Sequence, residues 1–150
     1  MQRSQAFMLY GNQSLTNATA WANNVHWTSV ATSTTIGSGF TIDGYKIKVN
    51  DDNIKKIKVT ASVVSYRANK QSDVYFLMTF VRTAGNYTRN IFYQVVNSYL
   101  ANTYLAGGSL EFFIDVAKND TVQMSFGTGV ANTTVDHMGI TLTAEDVTEY

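Results

Sequence analysis

A chain of 150 residues is long enough for one hydrophobic core and too short for two. Its 11 acidic and 11 basic residues cancel, which argues against a nucleic-acid partner, because counterion release on a polyanion requires a basic excess. Without cysteine it has neither disulfides nor thiolate metal sites. No apolar run approaches the ~20 residues that cross a bilayer, so we expect no membrane insertion.

The composition favours self-association. Apolar residues make up 45% of the chain and aromatic residues 13%, whereas charged residues make up only 15%. That is more aromatic and less charged than an ordinary globular domain. A large contact surface between copies would accommodate the surplus; the alternative is a monomer with an unusually well-filled core.

Alternating apolar residues predict β-strands along the whole chain. Tyr45, Ile47 and Val49 alternate with two lysines, and the same period of two recurs in later segments. Residues 12–24 have no period and are predicted to be a loop. About nine strands are predicted, near residues 5–10, 25–30, 40–50, 56–67, 73–83, 88–99, 109–117, 121–127 and 135–143.

Glycine, asparagine and aspartate supply the predicted turns, since the chain has no proline. Turns are predicted at Asp43-Gly44, Lys118-Asn119-Asp120 and Gly127-Thr128-Gly129, where hairpins require them. Short strands with frequent turns are typical of a sandwich or barrel. With no linker and no internal repeat, residues 1–150 are predicted to form one all-β domain.

One segment, residues 74–81, is apolar on both faces. Val74, Phe76 and Met78 share one face, while Tyr75 and Leu77 lie on the other. In a two-sheet sandwich only the inner face should be dry, so a second buried face predicts a contact between subunits.

Several pieces of the chain resemble the trimeric jelly rolls of the tumour-necrosis-factor and complement-head superfamily. Ala6-Phe7 stands where that family opens its first strand, and residues 40–42 and 56–64 follow as its next strands. Residues 109–116 (SLEFFIDV) and 118–122 (KNDTV) resemble a late hairpin of the family, and residues 138–142 (MGITL) resemble its last strand.

The resemblance implies an antiparallel two-sheet jelly-roll sandwich that forms a threefold homotrimer, with aromatic residues on the axis. The Asn- and Thr-rich, proline-free composition is similar to that of virion surface proteins of tailed bacteriophages. We expect the terminal segments 1–4 and 144–150 to make contacts. The residues predicted to lie at the trimer interface are Tyr75, Leu77, Val81, Tyr93, Tyr99 and Tyr104.

No catalytic motif is recognisable, so we expect no enzymatic activity and no cofactor. His26 and His137 are the only imidazoles, and neither stands in a nucleophile or metal motif. Asp51 and Asp52 offer oxygens to a calcium ion, but a solvated hairpin turn is the favoured interpretation, so no metal site is predicted.

Trp21, His26 and Trp27 form a candidate glycan contact, because aromatic faces stack on sugar rings and the neighbouring asparagines can bond hydroxyls. The favoured alternative is structural, with Trp27 in the core and Trp21 in a subunit interface.

The leading functional hypothesis is a structural protein on the virion surface, a homotrimeric decoration or cement protein of a phage head. Its partners would be its own copies and the major capsid protein or another virion protein. The strand pattern starts almost at once, which leaves no room for a stalk if Met1 is the native start. The alternatives are a receptor-binding head of a fibre or baseplate that recognises a host surface glycan, and a non-viral signalling trimer.

Overall fold

The computed structural model describes residues 3–22, 25–82, 87–90, 94–98, 104–106 and 109–150. Within these ranges all regular structure is β-sheet, in fourteen strands. The strands are β1 (Gln5–Tyr10), β2 (Gln13–Asn17), β3 (Val25–His26), β4 (Val30–Ile36), β5 (Phe40–Asp43), β6 (Lys46–Val49), β7 (Lys56–Ala68), β8 (Ser72–Arg82), β9 (Tyr87–Asn90), β10 (Gln94–Ser98), β11 (Tyr104–Ala106), β12 (Ser109–Asp115), β13 (Thr121–Thr128) and β14 (Thr133–Asp146).

The strands form two antiparallel sheets. Sheet A has the order β11-β7-β14-β1-β4, with β12 also on β7 and β2 also on β14. Sheet B has the order β10-β8-β13-β6-β5, with β9 on β8 and β3 on β13. Most neighbours are distant in sequence, so the chain crosses repeatedly between the sheets, as a jelly roll requires.

The core lies between the two sheets. Sheet A contributes alternate residues of β1, β7 and β14, which accounts for the period of two in the sequence. Trp27 fills the centre with no exposed surface. Its ring packs against Phe76 and Phe126, with centroid distances of 5.4 and 5.1 Å.

β2, β4 and β11 lie largely outside the predicted strands, and the strand predicted at 40–50 is divided into β5 and β6. Within the predicted loop 12–24, β2 pairs with β14, and its Thr16 hydroxyl lies 2.8 Å from that of Thr134. β4 was also missed as a separate strand: it pairs with β1, yet only Val30 among its seven residues is even half-buried. Neither β2 nor β4 shows a clear apolar alternation, because β2 has a single apolar residue, Leu15, and hydroxyl side chains make up most of β4.

Two turn predictions have different outcomes. Asp43-Gly44 lies at a hairpin between β5 and β6, and Gly44 adopts the positive φ of 63° that favours glycine. Gly127, by contrast, lies inside β13. A Cβ there would lie 2.2 Å from the carbonyl oxygen of Ala22 and 2.4 Å from the Tyr75 ring, so this glycine permits close packing.

β8 is buried on both faces, as predicted, but not for the predicted reason. Tyr75 and Leu77 lie on the outer face of sheet B and are only 1% and 0% exposed within a single chain. Neither side chain has surface left for a neighbouring subunit, so their assignment to a trimer interface is wrong. Val81 is half-buried and stays a candidate.

The remaining interface candidates cannot be placed. Tyr93 and Tyr99 lie outside the described residues. Tyr104 begins β11, and its side chain likewise lies outside the described part.

Leu77→Asp should therefore unfold the chain rather than dissociate an assembly. A buried, unpaired carboxylate costs several kcal/mol, about as much as the stability of a typical domain. Circular dichroism and size-exclusion chromatography distinguish the two outcomes. Ile36→Asp, at a position that is 40% exposed, should leave the spectrum unchanged. A folded monomer of Leu77→Asp would contradict this assignment.

Candidate functional site

The outward face of sheet A carries a broad uncharged surface. Two cross-strand rows run over β4, β1, β14 and β7, and their registers place the residues side by side. We call these eight residues the uncharged face: Thr34, Phe7, Thr143, Thr60, Thr32, Leu9, Thr141 and Ser62.

Small hydroxyl side chains make this face flat. Six of the eight residues are threonine or serine, and only Phe7 and Leu9 are large and apolar. All eight are at least partly accessible to solvent. Depletion of charge at the centre of a patch distinguishes protein interfaces from ordinary surface, so this face is the best candidate for assembly among the described residues.

A charged row borders the uncharged face at one end. Lys58 lies 3.8 Å from Glu111 and 3.7 Å from Glu145. Next to Lys58 across the sheet is Phe113, which is 60% exposed. These ion pairs are partly solvated and contribute little stability, but a polar rim around an uncharged centre is the usual anatomy of an interface.

Trp21 lies on the opposite side of the sandwich, against the outer face of sheet B. Its indole stacks on Tyr75 with centroids 5.8 Å apart and planes within 7°. The Tyr75 hydroxyl donates to the Ala22 carbonyl at 3.1 Å. Trp21 is nevertheless 55% exposed.

The backbone around Trp21 is fixed by several hydrogen bonds. The Trp21 amide donates to the carbonyl of Thr128 at 2.7 Å. The buried Asn17 side chain donates to Ala22 at 3.0 Å and accepts from the Thr19 amide at 3.0 Å. Trp21 has a φ of 62°, a conformation that bulky residues avoid unless their surroundings impose it.

The structure does not bring the three predicted glycan residues together. His26 stacks on Tyr45 at 5.9 Å and contacts the Gln123 side-chain nitrogen at 2.9 Å. Burial, and then the charge of Lys46, lowers the pKa of His26. Trp27 is completely buried, so a glycan contact at Trp27 is wrong, because no part of its ring reaches solvent.

The C-terminal segment packs on its own chain. Residues 144–146 belong to β14, and Thr148 is buried. Arg3 donates to the Thr148 carbonyl at 2.6 Å and lies over the Tyr150 ring. Contacts of the terminal segments with other subunits stay a prediction, and Tyr150, at 64% exposure, is available for them.

Asp146 is the charged centre of this terminal cluster. Burial acts to raise its pKa, but hydrogen bonds from Thr148 and Tyr150 outweigh burial, and the pKa is lowered overall. The same bond to Asp146 raises the pKa of the Tyr150 hydroxyl. Beside the cluster is a cavity of about 220 Å³, to which Asp51 and Ile54 also contribute.

The described ranges contain no group of side chains suited to hold a metal ion. Among these residues, no three His, Asp or Glu side chains converge. The Asp51 carboxylate accepts the Asn53 amide at 2.8 Å, as expected for a turn. His137 lies in β14, and its side chain is outside the described part. No helix in the described residues is long and apolar enough to cross a membrane.

Solved structures share this architecture over nearly its whole length. Murine APRIL matches 97% of this chain and 100% of its own at a TM-score of 0.64 and 10% identity. Eiger TNF of S. frugiperda matches 99% of this chain and 96% of its own at a TM-score of 0.68 and 6% identity. The fold is the tumour-necrosis-factor-like jelly roll. The PRD1 vertex protein P5, a phage protein, matches 97% of each chain at 0.56 and 16% identity.

The all-β, two-sheet jelly-roll prediction is therefore confirmed. No protein-family model matches the sequence, and a comparison with curated proteins also finds no match. At 6–16% identity these structural matches concern the fold of the tumour-necrosis-factor-like jelly roll alone. The oligomeric state of this chain and its role depend on the surfaces that the chain itself presents.

Asp146→Asn should lower the stability of the fold at neutral pH and make that stability less dependent on pH in the acid range. A lowered folded-state pKa means that the carboxylate stabilises the chain above its unfolded pKa of about 3.9, and that this stability is lost as pH falls through the folded-state pKa. We expect the free energy of unfolding at pH 7 to fall by about 1–2 kcal/mol, because the hydrogen bonds that the charged carboxylate accepts are stronger than those to a neutral amide. Thermal unfolding between pH 7 and pH 2 measures it.

The matched control is Asp52→Asn, at an exposed turn position. It should unfold like the wild type at pH 7. An Asp146→Asn variant with the wild-type acid profile would show that the cluster does not couple to folding.

Proposed function

We propose that this chain is a homotrimeric protein of the virion surface that decorates and cements a phage capsid. The observation that carries the virion assignment is the likeness to the PRD1 vertex protein P5 over 97% of both chains. The neutral, cysteine-free sequence supports a role in contact rather than chemistry.

The uncharged face supports the trimer. Its central strands β1 and β14 are paired over six residues, so the face is rigid. Phe7 and Leu9 supply apolar area at its centre, and the threonine methyl groups extend that area. Closed cyclic symmetry would cover this surface in every subunit without leaving an open end.

β4 is the proposed contact with the capsid. It is the last strand of sheet A in the described part of the chain, so its outer edge has unpaired backbone groups. Edge strands normally carry charges or prolines that prevent further pairing. β4 has neither: its sequence is VATSTTI, and only Val30 is even half-buried. A strand of the major capsid protein or of another virion protein would extend the sheet here.

Thr143→Lys should dissociate the trimer into folded monomers. Thr143 lies between Phe7 and Thr60 on the uncharged face, so three ammonium groups would be forced into the interface without partners. Light scattering at micromolar concentration should report three subunits for the wild type and one for the variant.

Thr41→Lys is the control, because Thr41 is an exposed threonine on β5 of sheet B. It should remain trimeric. A monomeric wild type, or a trimeric Thr143→Lys, would show that the uncharged face is not the assembly surface.

Removing the protein from phage particles should make them rupture at lower temperature or under milder osmotic shock. A trimer that binds only the assembled shell shifts the equilibrium toward the intact shell by mass action. Adding back the wild-type protein should restore resistance, whereas adding Thr143→Lys should not. Stripped particles that stay robust but no longer adsorb to cells would favour the receptor-binding alternative.

A further inference from the structure

The most unusual exposed side chain is Trp21, because it is both accessible and rigidly held. Tyr75 covers one face of its indole in a near-parallel stack. Gly129 lies against its edge, so close that a Cβ there would be 3.0 Å from the benzo ring. Trp21 nevertheless remains 55% exposed.

This rigidity has a cost that packing alone does not explain. Trp21 holds a left-handed backbone conformation, which is strained for an aromatic residue. The strain is maintained by its amide bond to Thr128 and by the stack on Tyr75. The indole therefore lies flat against Tyr75 in one orientation, while more than half of the residue stays exposed to solvent.

Asp73 lies near the same part of the surface. A Cβ on Gly129 would be 3.5 Å from the Asp73 Cβ as well as 3.0 Å from the Trp21 ring. The Asp73 backbone carbonyl accepts the Gly129 amide at 2.9 Å, which fixes the spacing. Asp73 is half-buried.

We propose that Trp21, Asp73 and the Gly129 backbone between them form a carbohydrate-binding subsite for a neutral hexopyranose. The apolar face of a pyranose ring, formed by axial C–H groups, would stack on the open face of Trp21. Two adjacent hydroxyls of the same ring would donate to the two oxygens of Asp73, giving charge-assisted hydrogen bonds. Gly129 leaves room for the ring to reach both groups at once.

The charge of the site selects among sugars. Sialic and uronic acids carry a carboxylate that Asp73 would repel, so neutral sugars are preferred. A quaternary ammonium could also sit on an indole beside a carboxylate. One open aromatic face is, however, less than the cage of several rings that usually holds such a cation. This subsite does not depend on the capsid role, because it lies on sheet B, away from the uncharged face.

The test uses the full chain labelled with ¹⁵N, titrated separately with lactose, maltotriose and chitotriose. Its two tryptophans give two indole N–H signals, and the buried Trp27 serves as an internal reference. At least one neutral sugar should shift the Trp21 signal saturably and leave the Trp27 signal in place. Sialyllactose and choline are titrated in parallel as the acidic and cationic probes.

Three variants assign the binding. Trp21→Ala should abolish it, and Asp73→Asn should weaken it about tenfold, as expected for loss of a charge-assisted bond. Trp21→Phe keeps a ring on Tyr75 and should retain folding with weakened binding. Phe113→Ala removes an equally exposed aromatic on sheet A and should bind like the wild type.

Several results would overturn the proposal. Absence of saturable shifts with all three neutral sugars would do so, as would binding that survives Trp21→Ala. Stronger binding of choline than of any sugar would assign the site to cationic ligands instead. Stronger binding of sialyllactose than of the neutral sugars would contradict the role given to Asp73.

Discussion

The pairing of β8 with β13 is the constraint on which the other features of this domain depend. The two strands are in register over eight residue pairs, and nearly every side chain on both faces of the pair is buried. The inner face supplies Phe76 and Phe126, which hold Trp27 at the centre of the core. The outer face is equally dry, so it must be covered within the chain. Trp21 and Ala22 provide part of that cover.

A dry outer face requires its polar groups to find partners. The hydroxyl groups of Thr79 and Ser125 form a hydrogen bond with each other at 3.0 Å. The Gln123 side-chain nitrogen contacts His26, while the Gln123 Oε1 is buried without a hydrogen-bond partner among the described residues. Burial, and then the charge of Lys46, lowers the pKa of His26. A neutral ring is the compatible state, because a second positive charge beside Lys46 would be poorly solvated there. The pair of strands thus determines both where β3 attaches and how the Trp21 segment is anchored.

Sequence alone predicts those parts of the fold in which one face of a strand is buried. β1 is predicted with correct ends because Ala6, Met8 and Tyr10 alternate with accessible residues. β2 and β4 are not predicted, because β2 has only one apolar residue and because serine and threonine occur on both faces of β4. For β8 the pattern correctly indicates two buried faces. It cannot say whether the same chain or another copy covers the outer one, and that ambiguity produced the wrong interface assignment.

The candidate site shows the same limit. Trp21 and Trp27 are indistinguishable by residue type, yet one is exposed and the other is buried. Asp73 gives no signal at all in the sequence, since it lies more than fifty residues from Trp21 and from Gly129. Only the β8–β13 register, which sets Val74 opposite Thr128, brings these groups together. Local sequence patterns do not predict which residues are brought into contact by the pairing of strands that are distant in sequence.

The two proposed surfaces lie on opposite sides of the sandwich, and this separation has a physical consequence. If the uncharged face of sheet A is covered in the trimer, then Trp21 on the outer side of sheet B stays accessible in each subunit. Three weak sugar subsites would then face away from the axis. A single stacked pyranose with two hydrogen bonds binds weakly, but linked sites raise overall avidity when one glycan layer engages several of them. Assembly and binding would reinforce each other, because dissociation to monomers would remove the avidity without changing a single contact in the subsite.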